Sequence, residues 1–173
     1  MADIIEFDPV DTLSAGAFGI PGDRTFLIQA RKGQAVLSVL VEKEQVALLA
    51  VEAEQFLARL DDEYPESQPA ISALEAPVAE AVPLFRARLI GLGFDPEREL
   101  VLLELREEAV EEEGESPPSL EESEGHIARL YASRSQLRAM ARIGAQAVSG
   151  GRPPCPLCDR PMDPSGHICP RWN

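Results

Sequence analysis

The carboxyl-terminal segment from Cys155 to Asn173 constrains the fold of this chain most strongly. It holds all three cysteines and one of the two histidines, arranged as Cys155-x2-Cys158, eight further residues, and then His167-x-Cys169. Six prolines between positions 153 and 170 exclude a helix and leave little apolar surface to bury. Such a segment needs something other than a hydrophobic core to close it, and a bound metal ion would serve.

The spacing of the four side chains favours one structural zinc ion. Cys155 and Cys158 suit a tight knuckle, a turn whose backbone N–H groups point toward the sulfurs. His167 and Cys169 leave the same face of an extended segment, and Gly166 allows the bend that returns them to the first pair. Four protein ligands fill a tetrahedral zinc site and leave no open position for catalysis.

Two other interpretations of these cysteines stay open at this point. A redox Cys-x-x-Cys pair is one, but that motif normally lies between a strand and a helix, and the prolines argue against a helix here. The other is a set of free surface thiols beside an unrelated histidine.

The rest of the chain is long and apolar enough to form its own core. With 173 residues, of which 45% are apolar, we predict one domain over residues 1–150 (the body) and a zinc-binding tail over residues 151–173. No apolar run approaches the ~18–20 residues that span a bilayer. The first residues lack the features of a signal peptide. We therefore expect no membrane partner and a cytoplasmic location, where cysteines serve as metal ligands more readily than as disulfides.

The net charge of −14 is unevenly distributed. It divides into −19 for residues 1–124 and +5 for residues 125–173. An acidic body repels nucleic acid, so general nucleic-acid binding is not expected. The basic carboxyl-terminal part is where an anionic partner could bind.

Hydrophobic periodicity predicts strands separated by two helices. The helices are expected at Glu44–Asp61, whose apolar residues recur at helical spacing, and at Arg134–Val148, after Ser133 as N-cap and before Gly150-Gly151. Residues 107–124, rich in glutamate, predict a solvated, mobile loop. We predict an α+β fold, an antiparallel sheet with both helices on one face, and an internal β-β-α pseudo-repeat. The strands are predicted at 3–8, 25–31, 35–41, 84–92, 100–105 and 126–131.

Three glycines at a spacing of three form a candidate ligand loop between residues 16 and 24. A phosphate loop requires a helix directly after it. Here the β-rich run from Thr25 follows, so a β-hairpin with a Pro21-Gly22 turn is favoured. If the loop bound an anion or nucleotide instead, the residues available to that ligand would be Gly16, Gly19, Gly22, Arg24, Gln29 and Arg31.

Three arginines, Arg134, Arg138 and Arg142, fall four residues apart on the last predicted helix. This spacing places them on one side, where they could bind phosphates or an acidic protein surface. Alternatively, the glutamate-rich loop upstream neutralises them within the chain.

Several runs of the sequence resemble a bacterial family known as domain of unknown function 3090. They are residues 15–31, residues 41–46 and the two ends of the Cys/His segment, residues 154–158 and 169–173. The resemblance covers nearly the whole chain and implies a Cys/His ending, with glycine common where this chain has Asp159. It implies no activity.

Two functional hypotheses follow from these patterns. The favoured one is a non-catalytic zinc-binding adaptor whose tail contacts a partner, expected to be a protein. The alternative is a small-molecule binding protein or enzyme that uses the Gly16–Arg24 loop. We predict no catalytic residues, because His126 is the only histidine outside the tail and no base is evident beside Ser133 or Ser135.

Overall fold

The architecture comes from a computed structural model, which describes residues 2–67, 73, 77–107, 125–163 and 165–172. Within these residues the chain forms eight strands and two helices. In chain order they are β1 (Asp3–Phe7), β2 (Thr12–Ile20), β3 (Asp23–Lys32), β4 (Ala35–Val41), α1 (Lys43–Glu63), β5 (Phe85–Arg86), β6 (Leu89–Asp95), β7 (Leu100–Arg106), β8 (His126–Ala132) and α2 (Arg134–Ser149).

The strands are divided between two four-stranded sheets. The first has the order β1-β8-β7-β6 and the second the order β2-β3-β4-β5. Each contains an antiparallel meander of three strands, and the fourth strand lies parallel to the last strand of that meander. The α+β class is confirmed, but the single antiparallel sheet is replaced by two mixed sheets.

The division into two sheets depends on pairings between distant segments. Strand β1 pairs with β8, so that Asp3 lies beside His126. The chain passes from the second sheet to the first at two consecutive residues. The N–H of Ala87 donates to Leu40 of β4, whereas the N–H of Arg88 donates to Arg106 of β7. The single strand predicted over 84–92 is therefore two strands, β5 and β6.

The predicted pseudo-repeat occurs as a β-β-β-α unit. The first unit is β2-β3-β4-α1 and the second is β6-β7-β8-α2. In the first unit β5 follows the helix and adds the parallel strand. In the second unit, the parallel strand is β1, which comes from the amino-terminal end of the chain. The two units thus have the same strand arrangement with a different chain order.

The two helices pack against each other and against both sheets, rather than on one face of a single sheet. Helix α1 buries Val46, Leu49, Ala53, Leu57 and Leu60, as its periodicity predicts. The Val46 side chain of α1 packs closely on Gly144 of α2. A Cβ built there would lie 3.0 Å from Cγ1 of Val46. One continuous core includes side chains from both sheets and both helices.

Helix α2 begins at Arg134, as predicted, and ends at Ser149, one residue beyond the predicted Val148. The Ser133 hydroxyl accepts from the Gln136 N–H at 3.1 Å, and Gly150 follows the last helical residue.

Of the predicted acidic loop 107–124, only Glu107 lies within the described residues. The division at residue 150 stays a prediction. Neither described helix is long and apolar enough to cross a membrane.

Candidate metal centre

The tail begins with a short hairpin that carries the first two cysteines. The N–H of Cys155 donates to the Arg160 carbonyl at 2.8 Å, and the N–H of Asp159 donates to the Cys155 carbonyl at 2.9 Å. Pro154 and Pro161 face each other as an antiparallel bridge. Because prolines cannot donate, the chain forms isolated bridges here instead of a continuous ladder. The result is the tight knuckle that the sequence predicts.

Two left-handed backbone positions shape the rest of the tail. Gly166 has φ of +102° and turns the chain back toward the knuckle, as predicted. Asp159 follows the second cysteine with φ of +59°. Glycine adopts that conformation with less strain than aspartate. The glycine that the resemblance implies at this position therefore has a conformational reason.

The four predicted ligands lie together. The sulfurs of Cys155 and Cys169 are 3.9 Å apart, and the Cys158 sulfur is 3.6 Å from Nε2 of His167. All four ligand atoms lie within 4.8 Å of one another. Tetrahedral zinc, with Zn–S of about 2.3 Å and Zn–N of about 2.0 Å, requires S–S separations of ~3.8 Å and S–N separations of ~3.5 Å. The group could hold a metal ion with little rearrangement.

The structure also bears on the two alternatives for the cysteines. All three cysteines are free, so no disulfide joins the Cys155-x-x-Cys158 pair. None of the described residues after Cys158 is helical, so the usual setting of a redox Cys-x-x-Cys pair is missing there. Cys155 and Cys169 are buried, so they are not surface thiols.

Backbone hydrogen bonds favour the thiolate of Cys155. The N–H groups of Leu157 and Cys158, with a smaller contribution from His167, lower the pKa of the Cys155 thiol to about 6, although burial opposes them. Burial raises the pKa of Cys158. The knuckle therefore offers one thiolate near neutral pH, and a metal would have to displace the proton of Cys158.

An ion pair that the sequence analysis missed closes the hairpin outside the ligands. Nη1 of Arg152 lies 2.8 Å from Oδ1 of Asp163. These residues face each other in the register set by the Pro154–Pro161 bridge. A hairpin centred on Cys155 and Cys158, if continued outward in antiparallel register, places Arg152 opposite Asp163, so the sequence contained a signal for this ion pair.

The three arginines of α2 do not form one exposed stripe. Arg134 is 1% exposed, pairs with Asp61 at 3.1 Å, donates to the Tyr64 carbonyl, and stacks 5.1 Å from the centre of the Phe94 ring. Arg138 pairs with the other oxygen of Asp61, also at 3.1 Å, and Arg142 is exposed. The neutralising carboxylate of the first two arginines belongs to α1, because the helices run antiparallel. The loop predicted over residues 107–124 lies outside the described residues, apart from Glu107.

The candidate ligand loop is a β-hairpin, as favoured from the sequence. Gly16 pairs with Leu27 and Gly19 with Arg24 across β2 and β3. Gln29 is buried and is occupied by hydrogen bonds with Ser38 and with the backbone of Ala79. Arg31 is exposed at the far end of β3. Gly22 and Arg24 of the predicted set border a common cavity.

The histidine outside the tail has structural contacts. Nδ1 of His126 lies 2.7 Å from Oε2 of Glu107, and its ring stacks on Phe85 with centroids 5.4 Å apart. The hydrogen bond with His126 lowers the pKa of Glu107.

Comparison with known proteins identifies a family. Neither the curated proteins nor the solved structures contain a significant match to the chain. A family model described as "Protein of unknown function (DUF3090)" matches residues 5–169, which include strands β2 to β8, both helices and the four clustered Cys/His residues. Because this match spans nearly the whole chain, the protein belongs to the DUF3090 family.

Proposed function

We propose that the protein is a non-catalytic, zinc-binding adaptor. The observation that carries the proposal is the convergence of three sulfurs and one imidazole nitrogen within 4.8 Å. Thiolates with an imidazole in tetrahedral spacing suit zinc better than hard cations such as magnesium or calcium. Four protein ligands leave no position for water or substrate, so the ion would be structural.

The proposed partner surface is formed by apolar residues on the outside of the tail. Ile168 is 96% exposed, Trp172 is 82% exposed and Leu157 is 49% exposed. Ile168 lies between two ligands, His167 and Cys169, so metal binding would fix it on the opposite side of the segment. Large exposed apolar side chains held on a rigid support are typical anchors of protein interfaces.

The charge of the tail supports a protein partner with an acidic rim. Arg160 and Arg171 are exposed, whereas all acidic groups of the chain except Asp159 and Asp163 lie in residues 1–124. Complementary charges would steer such a partner to the tail and away from the body. We place this interaction in the cytoplasm, where the three thiols would stay reduced and available for zinc.

Metal analysis of the purified protein tests the zinc site. We expect one zinc per chain in the native protein and a large loss of zinc in Cys155→Ser, with Cys158→Ser behaving alike. Protein that contains no zinc and cannot be reconstituted with it would refute the site.

Co-purification tests the adaptor role with a matched pair of variants. Ile168→Glu places a charge on the proposed surface without touching a ligand, and Val82→Glu does the same at a 92% exposed position of the body. We expect a partner bound by wild type and Val82→Glu to be lost from Ile168→Glu, although all three bind zinc. Equal recovery with both variants would contradict the proposed surface.

A further inference from the structure

A polar cavity of about 540 Å³ lies where the tail leaves the body. It is bordered by the β2–β3 turn, the start of α1 and the first residues of the tail. Small-molecule sites commonly enclose roughly 300–1,000 Å³. The charged residues around it are four basic and two acidic side chains, which is unusual in a chain with a net charge of −14. They are Arg24, Lys43, Arg86, Arg152, Glu42 and Glu44.

Two of the four cations already have carboxylate partners. Arg86 pairs with Glu42, and Arg152 pairs with Asp163. Arg24 and Lys43 differ from them. Within the part of the chain that the structure describes, neither has a carboxylate oxygen within 4 Å, and the guanidinium of Arg24 stacks only on the Phe26 ring, 5.1 Å from its centre.

Arg24 and Lys43 converge on the same point. A Cβ built on Gly151 would lie 3.3 Å from Nη2 of Arg24 and 3.3 Å from Nζ of Lys43. The two nitrogens are therefore no more than twice that distance apart. Like charges this close repel each other, and an anion between them would replace the repulsion with two attractions.

The surrounding protein offsets these two charges only in part. The carboxyl-terminal end of α2 carries about half a negative elementary charge, and the amino-terminal end of α1, where Lys43 lies, carries about half a positive one. These two contributions oppose each other. Glu44 supplies one full negative charge at the cavity, so the local balance stays positive. More distant acidic groups are screened beyond ~8 Å at physiological salt.

We propose that this cavity binds a phosphate-bearing small molecule. Its phosphate lies between the guanidinium of Arg24 and the ammonium of Lys43, and Gly151 leaves the space that a side chain would fill. The remaining volume accepts the organic part of a nucleotide-sized ligand. The site uses Gly22 and Arg24 of the loop singled out in the sequence. It combines them with α1 and the tail instead of forming a phosphate loop.

Titration calorimetry on the zinc-loaded full chain tests the proposal with two probes, ADP and inorganic phosphate. We expect saturable one-site binding of at least one probe to wild type. The double variant Arg24→Gln/Lys43→Gln should weaken it by at least about tenfold, since two charge-assisted contacts are lost. Arg31→Gln, an exposed arginine on the same strand but outside the cavity, is the matched control and should change affinity by less than about twofold.

The comparison of probes defines the ligand, and the variants decide the site. Tighter binding of ADP than of phosphate assigns the remaining volume to the nucleoside, whereas equal binding assigns the site to the phosphate alone. Binding that the double variant retains, or no saturable binding of either probe at millimolar concentration, overturns the proposal. Unchanged zinc content and far-ultraviolet circular dichroism show that the double variant is folded, independently of the adaptor role.

Discussion

The body and the tail, as predicted at residues 1–150 and 151–173, differ in what they bury. The body buries a continuous apolar core drawn from two sheets and two helices. In the described part of the tail, the only buried side chains are two cysteines, Cys155 and Cys169, while Ile168 and Trp172 are almost fully exposed. The body is stabilised by many apolar contacts, whereas the tail brings together four side chains that could hold a metal ion.

This difference shows what a metal site permits. A segment of about twenty residues cannot bury enough apolar surface to offset its loss of conformational entropy. Metal coordination by the four clustered side chains would supply that free energy, so the other side chains of the tail would not need to face inward. Ile168, Trp172 and Leu157 can then point outward. The body has no such freedom, because its apolar side chains hold it together.

Metal removal should show the largest difference between the two regions, because it should unfold the tail and leave the body folded. Structural zinc sites supply about 10–16 kcal/mol of apparent binding free energy, nearly all of which would be lost from the tail. We expect chelation to broaden or collapse the amide resonances of residues 151–172 while those of the body persist. Cooperative unfolding of the body on zinc removal would contradict this independence.

A cavity in the core of the body should lower the stability of the body and leave the zinc affinity of the tail unchanged. Leu103 of β7 is fully buried, so Leu103→Ala should lower the free energy of unfolding of the body by ~2–5 kcal/mol. Its neighbour Leu102 is half-buried on the other face of the strand, and Leu102→Ala should cost clearly less. Urea denaturation measures both variants. Zinc affinity, measured by chelator competition, should not change in either.

The pH dependence of zinc affinity should change slope near pH 6. Above this value Cys155 is already a thiolate, because backbone N–H groups lower its pKa to about 6. Below it, zinc must displace one more proton, so affinity should fall by about a further tenfold per pH unit. Chelator competition between pH 5 and pH 8 measures the slope, and a constant slope through pH 6 would argue against the assignment of Cys155.

The smallest effects should come from the two left-handed backbone positions of the tail. Asp159→Gly should stabilise the zinc-bound tail by ~0.5–1 kcal/mol, since glycine adopts φ of +59° without strain. Gly166→Ala should destabilise it by ~1 kcal/mol, through the backbone alone, because nothing lies within 4 Å of the added Cβ. Zinc affinity measures both changes, and the two variants should shift it in opposite directions.

Features that depend on neighbouring residues were predictable from the sequence. The knuckle, the Gly166 bend, the β2–β3 hairpin and both helices each arise from spacing and turn chemistry within a few residues. The four ligands were predictable for the same reason. They lie within fifteen residues, and the prolines of this segment leave it few other conformations.

The burial of Arg134 could not be predicted from the spacing of residues along the chain. Its spacing with Arg138 and Arg142 correctly places three arginines on one side of α2, but periodicity does not report what covers that side. The antiparallel packing of α1 brings Asp61 and the Tyr64 carbonyl to Arg134 and buries it. The spacing predicts either binding of an anionic partner or neutralisation within the chain, but it does not indicate the partners of Arg134, because they lie far away in the chain.

The sequence by itself determined both helices, the β2–β3 hairpin, the knuckle and the four Cys/His residues that cluster, because each depends on short-range spacing. It also indicated the family. The tertiary structure decided the division into two sheets, the burial of Arg134 and the meeting of Arg24, Lys43 and Gly151. These features join segments that are distant in the chain. Which distant segments pair is settled by competition among many similar strands and by the entropy of closing long loops, and local patterns do not contain that information.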